Sequence, residues 1–422
     1  MNQGSVKIMF TQEFPGIDEY MSPFRQFFSS KKGVKLADNY VVGLLMDGER
    51  KSVEPMSERV NASERSMQRL LTEVKWDNAR VFAEYRRQML SMTSASDGVL
   101  VLDDTGFPKK GRHSACVARQ YCGATGKIDN CQIGVSLTYV GQGLAWPYAM
   151  DLFVPESWDA SQSPDCIEKR RDAHIPDEVH YRQKWQIALE QVDLARKDGV
   201  PHQAIVADAW YGDIPGFRKA LEERNEHYVL GIHSDTNVFT DKPVFDIPEK
   251  GKRGRPRKYP ELSGTTPEPV KVSDLGKNVK EDEWIRYEIR KDCAGKPLVV
   301  EALTMRVSPS INYKKGIVNE EVRLIIERRK QGKDEYELRY FVSNLPADKP
   351  FIEILRLSHE RFWIEQGYQQ LKEELGLDHH EGRSWTGWHR HMLLTFLAYG
   401  YLLTLRVFEK KHTQPGRRCS QN

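Results

Sequence analysis

Carboxylates of this sequence are placed where they could share a divalent cation. Asp103 and Asp104 follow the apolar run 99–102, Asp208 follows the run 204–207, and Glu365 belongs to a segment with helical spacing. Because the ends of neighbouring strands meet at one edge of an open sheet, we expect the aspartates of the two strands to lie close together, as oxygen ligands that a hard cation such as Mg²⁺ prefers. Either aspartate alone is more typical of a turn or a helix cap, so the prediction depends on the third carboxylate.

That third carboxylate lies on a charged stripe of a predicted helix. Arg361, Glu365, Tyr368 and Lys372 are separated by steps of four, three and four residues. At about 100° per residue, this spacing places them within about 60° on one face. A solvated ladder of salt bridges would give the same pattern. The apolar residues 362–364 indicate that the helix is partly buried, which favours a functional stripe.

The surrounding pattern predicts an α/β protein of several segments. Residues from about 24 to 92 are predicted to be helical, and short β-branched runs after them predict three consecutive antiparallel strands, followed by helix, strand, helix and strand. A polar stretch then leads to a hairpin, EEVRLIIERR and EYELRYFVSN around QGKDE, before helical patterns return. The predicted segments are 1–95, a helical region; 96–232, the first part of an α/β core; 233–345, a β-rich insertion; 346–410, the C-terminal helices of the core; and 411–422, a basic tail.

A helix-turn-helix unit is predicted within the N-terminal segment. The helix SVEPMSERV is followed by a short break, and Ser63 can cap a second helix. Arg65, Gln68 and Arg69 would lie on the exposed side of that helix. We predict that this unit contacts DNA; a plain helical bundle with solvated charges is the alternative.

The motifs LDDTG, VADAWYGD and RFWIEQGYQQLK resemble the three catalytic motifs of insertion-sequence DDE transposases whose β insertion lies between the second Asp and the Glu. The resemblance covers about residues 98–405. The third motif of that family reads Tyr-x2-Arg-x3-Glu-x6-Lys, and Arg361, Glu365 and Lys372 have these offsets. Ser358 stands at the Tyr position, and Tyr368 on the same face is a partial substitute.

The resemblance implies a ribonuclease-H-like mixed sheet flanked by helices and split by the insertion. It implies Asp104, Asp208 and Glu365 as metal ligands, with Asp103 less suitable because the family's first motif usually reads Asp-Thr. Two Mg²⁺ ions, for which Mn²⁺ can substitute, would activate water on one side of the scissile phosphate and stabilise the leaving oxygen on the other. The freed 3′-hydroxyl of the element would then attack target DNA.

The same resemblance implies DNA contacts from the charged stripe. Arg361 and Lys372 would hold phosphates near the cut site, because a guanidinium and an ammonium offset the charge of phosphate, and Tyr368 lies on their face.

Further DNA contacts are predicted in the insertion. Its basic run KGKRGRPRK contains Arg253, Arg255, Arg257 and Lys258. The run resembles an AT-hook that enters the minor groove of A·T-rich DNA, and a flexible basic loop that binds phosphates is the alternative. In related transposases that cut through a hairpin, an aromatic residue of the insertion holds a flipped base. Trp284 is the candidate for that role here, with core packing as the alternative.

Composition narrows the classes of protein. The net charge is only +3, so a DNA partner requires local basic clusters. The six cysteines form no Cys-x-x-Cys pair and the N-terminus lacks a signal-peptide pattern, which predicts a reducing cytoplasm. The apolar stretch 392–405 is short for a bilayer span and is typical of a buried core helix.

Four histidines near the third motif suggest zinc, but the pattern disfavours it. His379, His380, His389 and His391 have no neighbouring cysteine, and the last two lack the spacing of helical ligand pairs. We interpret His391 as a hydrogen-bonded core residue or a phosphate contact.

The sequence therefore predicts a metal-dependent DNA transposase that cleaves element ends and transfers strands into a target. Its partner is double-stranded DNA, without a membrane or a small-molecule substrate, and the joining of two ends implies a homodimer on DNA at the nucleoid. A regulator that has lost catalysis, or a nuclease on the same fold that never joins strands, is the alternative.

Overall fold

The computed structural model describes residues 14–93, 98–246, 259–291, 295–332 and 335–413, and side chains up to residue 409. The chain divides into two compact units. The first unit comprises the described parts of Met1–Ser96, Asp104–Val200 and Trp363–Asn422, and the second comprises those of Asp97–Asp103 and Pro201–Phe362.

The helices are α1 (Ile17–Met21), α2 (Lys31–Leu45), α3 (Val53–Arg59), α4 (Glu64–Thr72), α5 (Asn78–Met92), α6 (Ile167–Asp172), α7 (Lys184–Lys197), α8 (Ala209–Gly212), α9 (Pro215–Glu223), α10 (Val272–Lys277), α11 (Phe351–Ser358), α12 (Arg361–Gln369) and α13 (Trp385–Thr413).

The strands are β1 (Val99–Pro108), β2 (Ala118–Cys122), β3 (Lys127–Gly141), β4 (Leu144–Leu152), β5 (Ala204–Ala207), β6 (Tyr228–Ile232), β7 (Asn237–Phe239), β8 (Phe245–Asp246), β9 (Glu261–Leu262), β10 (Val270–Lys271), β11 (Ile285–Lys291), β12 (Pro297–Pro309), β13 (Val322–Lys330) and β14 (Tyr336–Ser343).

Helix α13 forms the core of the first unit. It packs against α2, α4, α5 and β4, and residues such as Leu394, Phe396 and Leu397 are fully buried. By length and composition alone the segment Trp385–Glu409 could cross a membrane, but 72% of its most apolar window is buried inside the protein. The prediction of a buried core helix is therefore confirmed.

The N-terminal helices begin where side chains can cap them. Ser30 and Asp77 accept hydrogen bonds from the backbone N–H groups three residues on, at 3.1 and 3.0 Å. Ser63 caps α4 in the same way, through the N–H of Ser66 at 3.4 Å. The two predicted helices α3 and α4 and the Ser63 cap are thus confirmed, whereas DNA contact by this pair stays a prediction.

The sheet of the first unit has β3 at its centre. β3 pairs antiparallel with β2 over residues 127–131 and with β4 over residues 134–141. β1 is the neighbour of β3 on its opposite edge. The three predicted strands are present as β1, β2 and β3, and β4 is a fourth strand that was not predicted. Pro147 lies within β4, where it cannot donate a ladder hydrogen bond, and the register shifts opposite it between Leu137 and Thr138. The bulge accommodates the proline, so β4 forms although a proline within the segment argues against a strand in the sequence.

The sheet of the second unit is mixed. β5 lies between the first residues of β1 and β6 and pairs parallel with both, with Val101 opposite Val206. β6 pairs antiparallel with β14, and the order continues through β13 and β12 to β7 and β10, with β11 also on β12. The predicted hairpin is confirmed as β13 and β14. Its strands extend the same sheet as β5 and β6.

Candidate catalytic site

Asp208 closes strand β5 and opens the short helix α8. Its Oδ1 accepts hydrogen bonds from the N–H groups of Trp210 at 3.0 Å and Tyr211 at 3.3 Å. Helix α8 lies directly on β6, because a Cβ on Gly212 would stand 1.8 Å from the carbonyl oxygen of Gly231. Both hydrogen bonds use one carboxylate oxygen, so Oδ2 remains for another ligand.

Asp103 is level with Asp208 in the second unit. The last pair of the two strands is Val101 with Val206, and both aspartates come two residues after it, at the same end of adjacent parallel strands. The predicted strand does not end there, however. β1 runs on to Pro108, past the three residues that pair with β5, and β3 is its other neighbour in the sheet.

A cation contacts the Asp103 carboxylate. Arg361, the first residue of α12, places its Nη2 3.3 Å from Oδ2 of Asp103. The two side chains are 27% and 12% exposed, so the pair is largely shielded from water. Arg361 is therefore held near β1 in the second unit.

A different cation contacts Asp104 in the first unit. The Nζ of Lys184, at the start of α7, forms a salt bridge with Oδ2 of Asp104. The side chains of Lys184 and Asp104 are 21% and 24% exposed. Asp104 is thus about twice as exposed as Asp103, which is 12% exposed. Lys184 lies eighty residues from Asp104 in sequence, and no motif pointed to it.

The helix of the third motif is interrupted just before its functional stripe. The helical spacing of the segment predicts a continuous helix, but α11 ends at Ser358 and α12 begins at Arg361. Ser358 is buried and donates to the carbonyl oxygen of Leu355 at 2.7 Å, so its side chain is turned back onto α11 and takes no place on the stripe. Glu365 is exposed on α12.

The rest of the stripe contacts the sheet of the first unit. Tyr368 shares a hydrogen bond with the hydroxyl of Ser136 on β3. Lys372 donates to the carbonyl oxygen of Gly106 on β1 at 3.0 Å, and its ammonium is 5.4 Å from the ring centre of Phe107. Lys372 lies in a π-helical turn, Gln370–Glu374, that continues α12. Wider turns of this kind often occur at functional sites.

The donor chemistry of these residues fits a divalent cation. Carboxylate oxygens suit Mg²⁺, and cationic side chains already neutralise Asp103 and Asp104. Within the described ranges, no group of three or more His, Cys, Asp and Glu side chains is arranged as a metal site. If Asp104 holds an ion, Lys184 has to withdraw from its carboxylate, because the two positive charges would compete for the same oxygens.

The insertion candidates have separate outcomes. The AT-hook-like residues Arg253, Arg255, Arg257 and Lys258 lie outside the described residues. The ring of Trp284 is covered by the guanidinium of an arginine of β13, 4.6 Å from its centre. Its contact with a flipped base stays a prediction.

The histidines near the third motif form a buried hydrogen-bonded group. His391 contacts the hydroxyl of Tyr40 through Nδ1 at 2.8 Å and the carbonyl oxygen of Gly376 through Nε2 at 3.0 Å. His380 stacks on His391, with ring centres 5.2 Å apart. Burial lowers the pKa of His391 to about 4, so the ring is neutral at pH 7. The interpretation of His391 as a core residue is confirmed.

The sequence profile described as DDE superfamily endonuclease matches residues 23–296. The chain therefore belongs to this family of DDE superfamily endonucleases, which confirms the resemblance drawn from the motifs. The matched range contains Asp104 and Asp208 and ends before Glu365.

Individual relatives were also found. A probable transposase for insertion sequence element IS701 from Microchaete diplosiphon is 25% identical over 224 residues, which cover 53% of this chain and 55% of the relative. The match thus spans about half the length of that relative. The cryo-EM structure of a piggyBac transposase synaptic complex with hairpin DNA is similar with a TM-score of 0.45 and 10% identity, covering 96% of this chain and 76% of that chain.

Proposed function

We propose that this protein is a transposase that cleaves DNA at the ends of its element with divalent metal ions and joins those ends to target DNA. The observation that carries the proposal is the Asp208 carboxylate, held by two backbone N–H groups at the end of β5 beside the strand of the first motif, in a chain of the DDE superfamily endonuclease family. Its core would be the ribonuclease-H-like sheet that the motifs imply.

Asp104, Asp208 and Glu365 are proposed as the metal ligands. Two ions held there would supply an activated water and stabilise the leaving 3′-oxygen. Support comes from the family motif for Asp104 and Glu365 and, for Asp208, from a carboxylate that is oriented by two backbone N–H groups and keeps one oxygen available. Rigid orientation of a ligand lowers the cost of ion binding.

The cations of the third motif are proposed to bind the DNA backbone. Asp103 holds Arg361, and the carbonyl of Gly106 holds Lys372, so neither long side chain has to be ordered anew when DNA arrives. A guanidinium can contact two phosphate oxygens at once, which positions the scissile phosphate.

The substrate and assembly follow from the reaction. Joining two element ends to a target requires both ends at once, so we propose a homodimer on double-stranded DNA, acting in the cytoplasm at the nucleoid. A regulator without catalysis and a nuclease without strand transfer are the other candidates. A strand-transfer assay with pre-cut element ends distinguishes a transposase from a nuclease without strand transfer, because only the transposase joins such ends to a target.

The test is Mg²⁺-dependent cleavage of DNA carrying the sequences that flank the gene, comparing the wild type with Asp208→Asn. Asparagine also caps helices, so α8 should persist while the ligand's charge is lost. We expect cleavage to fall by at least about a hundredfold, since even a group one step removed from a metal ligand contributes as much. Asp235→Asn, on the exposed surface of the same unit, is the matched control and should cleave normally. Equal cleavage by both variants would refute the assignment of Asp208.

A further inference from the structure

We propose that the segment between β1 and β3 forms a second DNA-binding surface, which grips the duplex that flanks the cut site. We call it the hairpin surface. Its exposed residues are Lys110, Arg112, Arg119, Tyr121, Lys127 and Ile128, all in the first unit. The choice of DNA as the ligand rests on the proposed function; the surface itself rests on charge, anchoring and exposure.

Positive charge is concentrated in this segment. Residues 106–130 contain five Lys and Arg and one acidic residue, Asp129, a formal balance of five minus one, or +4. The whole chain carries only +3, so the remaining residues together are slightly negative. Lys109 does not contribute to the surface, because its ammonium donates to the carbonyl oxygen of His380 and burial lowers its pKa. The other four cations of the segment are exposed.

The loop that carries Lys110 and Arg112 is anchored at several points. The backbone N–H of Lys109 donates to the carbonyl oxygen of Asn130 at 2.8 Å, and the Asn130 side chain donates to the carbonyl oxygen of Gly111 at 2.9 Å. Further on, the N–H of Ala115 donates to the carbonyl oxygen of Arg383 at 2.8 Å. The backbone that presents these cations is therefore fixed before DNA binds, which lowers the entropic cost of binding.

An exposed apolar pair lies on the adjoining hairpin. Tyr121 of β2 and Ile128 of β3 are directly opposite each other in the register, and each is 63% exposed. Directly paired aromatic and β-branched residues normally stabilise a sheet by packing. Because most of the surface of both side chains is exposed to solvent here, we infer that a binding partner covers them. Arg119 comes two residues before Tyr121 and so lies on the same face of the strand, which favours a polyanion that also offers apolar surface. A DNA groove has both, in its phosphates and its sugar and base edges.

The hairpin surface begins on the strand that carries the first motif. Asp104 and Pro108 are both on β1, so about 13 Å separates them at about 3.3 Å per strand residue. The cations start immediately after Pro108. A duplex whose scissile phosphate lies at Asp104 would extend over this surface within about one turn.

The first test measures the affinity of the full chain for duplex carrying an element end, in Ca²⁺ to prevent cleavage and at several salt concentrations. We expect the double variant Lys110→Glu with Arg112→Glu to bind about ten- to a hundredfold more weakly near 100 mM salt. The slope of log affinity against log salt should fall by about 2, because each phosphate contact contributes about 0.9. The matched control, Lys314→Glu with Lys315→Glu, makes the same charge change on exposed residues of the second unit. If both double variants lose affinity equally, general charge is responsible and the hairpin surface is rejected.

The second test removes the apolar pair. Tyr121→Ser with Ile128→Thr should weaken binding about five- to tenfold without changing the salt slope, since no charge is altered. A change in sedimentation of the DNA-free protein, with DNA affinity intact, would instead show that a second copy covers these residues and would overturn the proposal. The outcome is separable from the proposed function: loss of cleavage in Asp208→Asn with normal binding by the hairpin variants would reject only the hairpin surface.

Discussion

Asp103 and Asp104 are bonded neighbours on β1, yet each is neutralised by a different cation from a different part of the chain. Arg361 holds Asp103 in the second unit, and Lys184 holds Asp104 in the first. Successive side chains of a strand leave on opposite faces, so one peptide bond is enough to give two carboxylates separate surroundings. The family motif favours Asp104 as the metal ligand, whereas strand register makes Asp103 level with Asp208.

The comparison indicates that the two neighbouring carboxylates have different roles, one in positioning a cation and the other in binding a metal ion. Asp103 is less exposed and paired with a guanidinium that it orients, which suits a positioning residue. Asp104 is more exposed and paired with a flexible ammonium that can leave, which suits a metal ligand. The predictions below test this division, from the largest expected effect to the smallest.

The sharpest test replaces each aspartate by asparagine in turn. Asp104→Asn should reduce Mg²⁺-dependent cleavage by at least about a hundredfold, because a ligand charge is lost. Asp103→Asn should reduce it about tenfold, since Arg361 then loses its ionic partner but remains present. Cleavage rates at saturating Mg²⁺ give both values. The opposite ranking would make Asp103 the ligand.

Lys184 should compete with the metal ion for Asp104. In Lys184→Gln, we expect half-maximal cleavage at an about two- to fivefold lower Mg²⁺ concentration, the size of effect that a partly exposed ion pair contributes. Lys197→Gln, at the exposed other end of α7, serves as the control and should leave the Mg²⁺ requirement unchanged. A higher Mg²⁺ requirement in Lys184→Gln would show that the lysine supports the site.

Acid pH is expected to lower the stability of the fold, and so to lower cleavage by all variants. The free energy of unfolding therefore has to be measured separately from cleavage. Burial lowers the pKa of His391 from 6.5 to about 4, so the fold favours the neutral ring. Its contribution to the free energy of unfolding is complete above pH 6.5 and is lost as the pH falls to about 4, with a total of about 3 kcal/mol. His391→Gln should flatten this dependence in urea unfolding at pH 4 to 7. An unchanged slope would assign the acid sensitivity to other groups.

The sequence predicted those parts of the fold that depend on interactions between residues close together in the chain. The Ser63 cap, the hairpin of β13 and β14 and the buried helix α13 were all predictable from caps, alternation and apolar periodicity. Strand β4 was missed because Pro147 argues against a strand until the bulge opposite it is known.

The candidate site was predictable in its residue types and incomplete in its contacts. The three motifs indicated the carboxylates and the charged stripe, because their spacing is encoded within short segments. Lys184 could not be found, since its salt bridge with Asp104 depends on how α7 packs. The break between Ser358 and Arg361 was hidden for a related reason: the segment has continuous helical periodicity, and no proline or glycine marks the end of α11.

The most direct test of the central claim is cleavage of element-end DNA by Glu365→Gln, with Mg²⁺ and Mn²⁺ titrated over the same range and DNA binding measured alongside. The glutamine keeps the size of the side chain and removes the charge that a metal ligand needs. We predict that binding is unchanged and that cleavage is lost at every concentration of either ion. Cleavage at the wild-type rate, or loss of binding together with cleavage, would contradict the assignment of Glu365 as a ligand of a metal-dependent transposase.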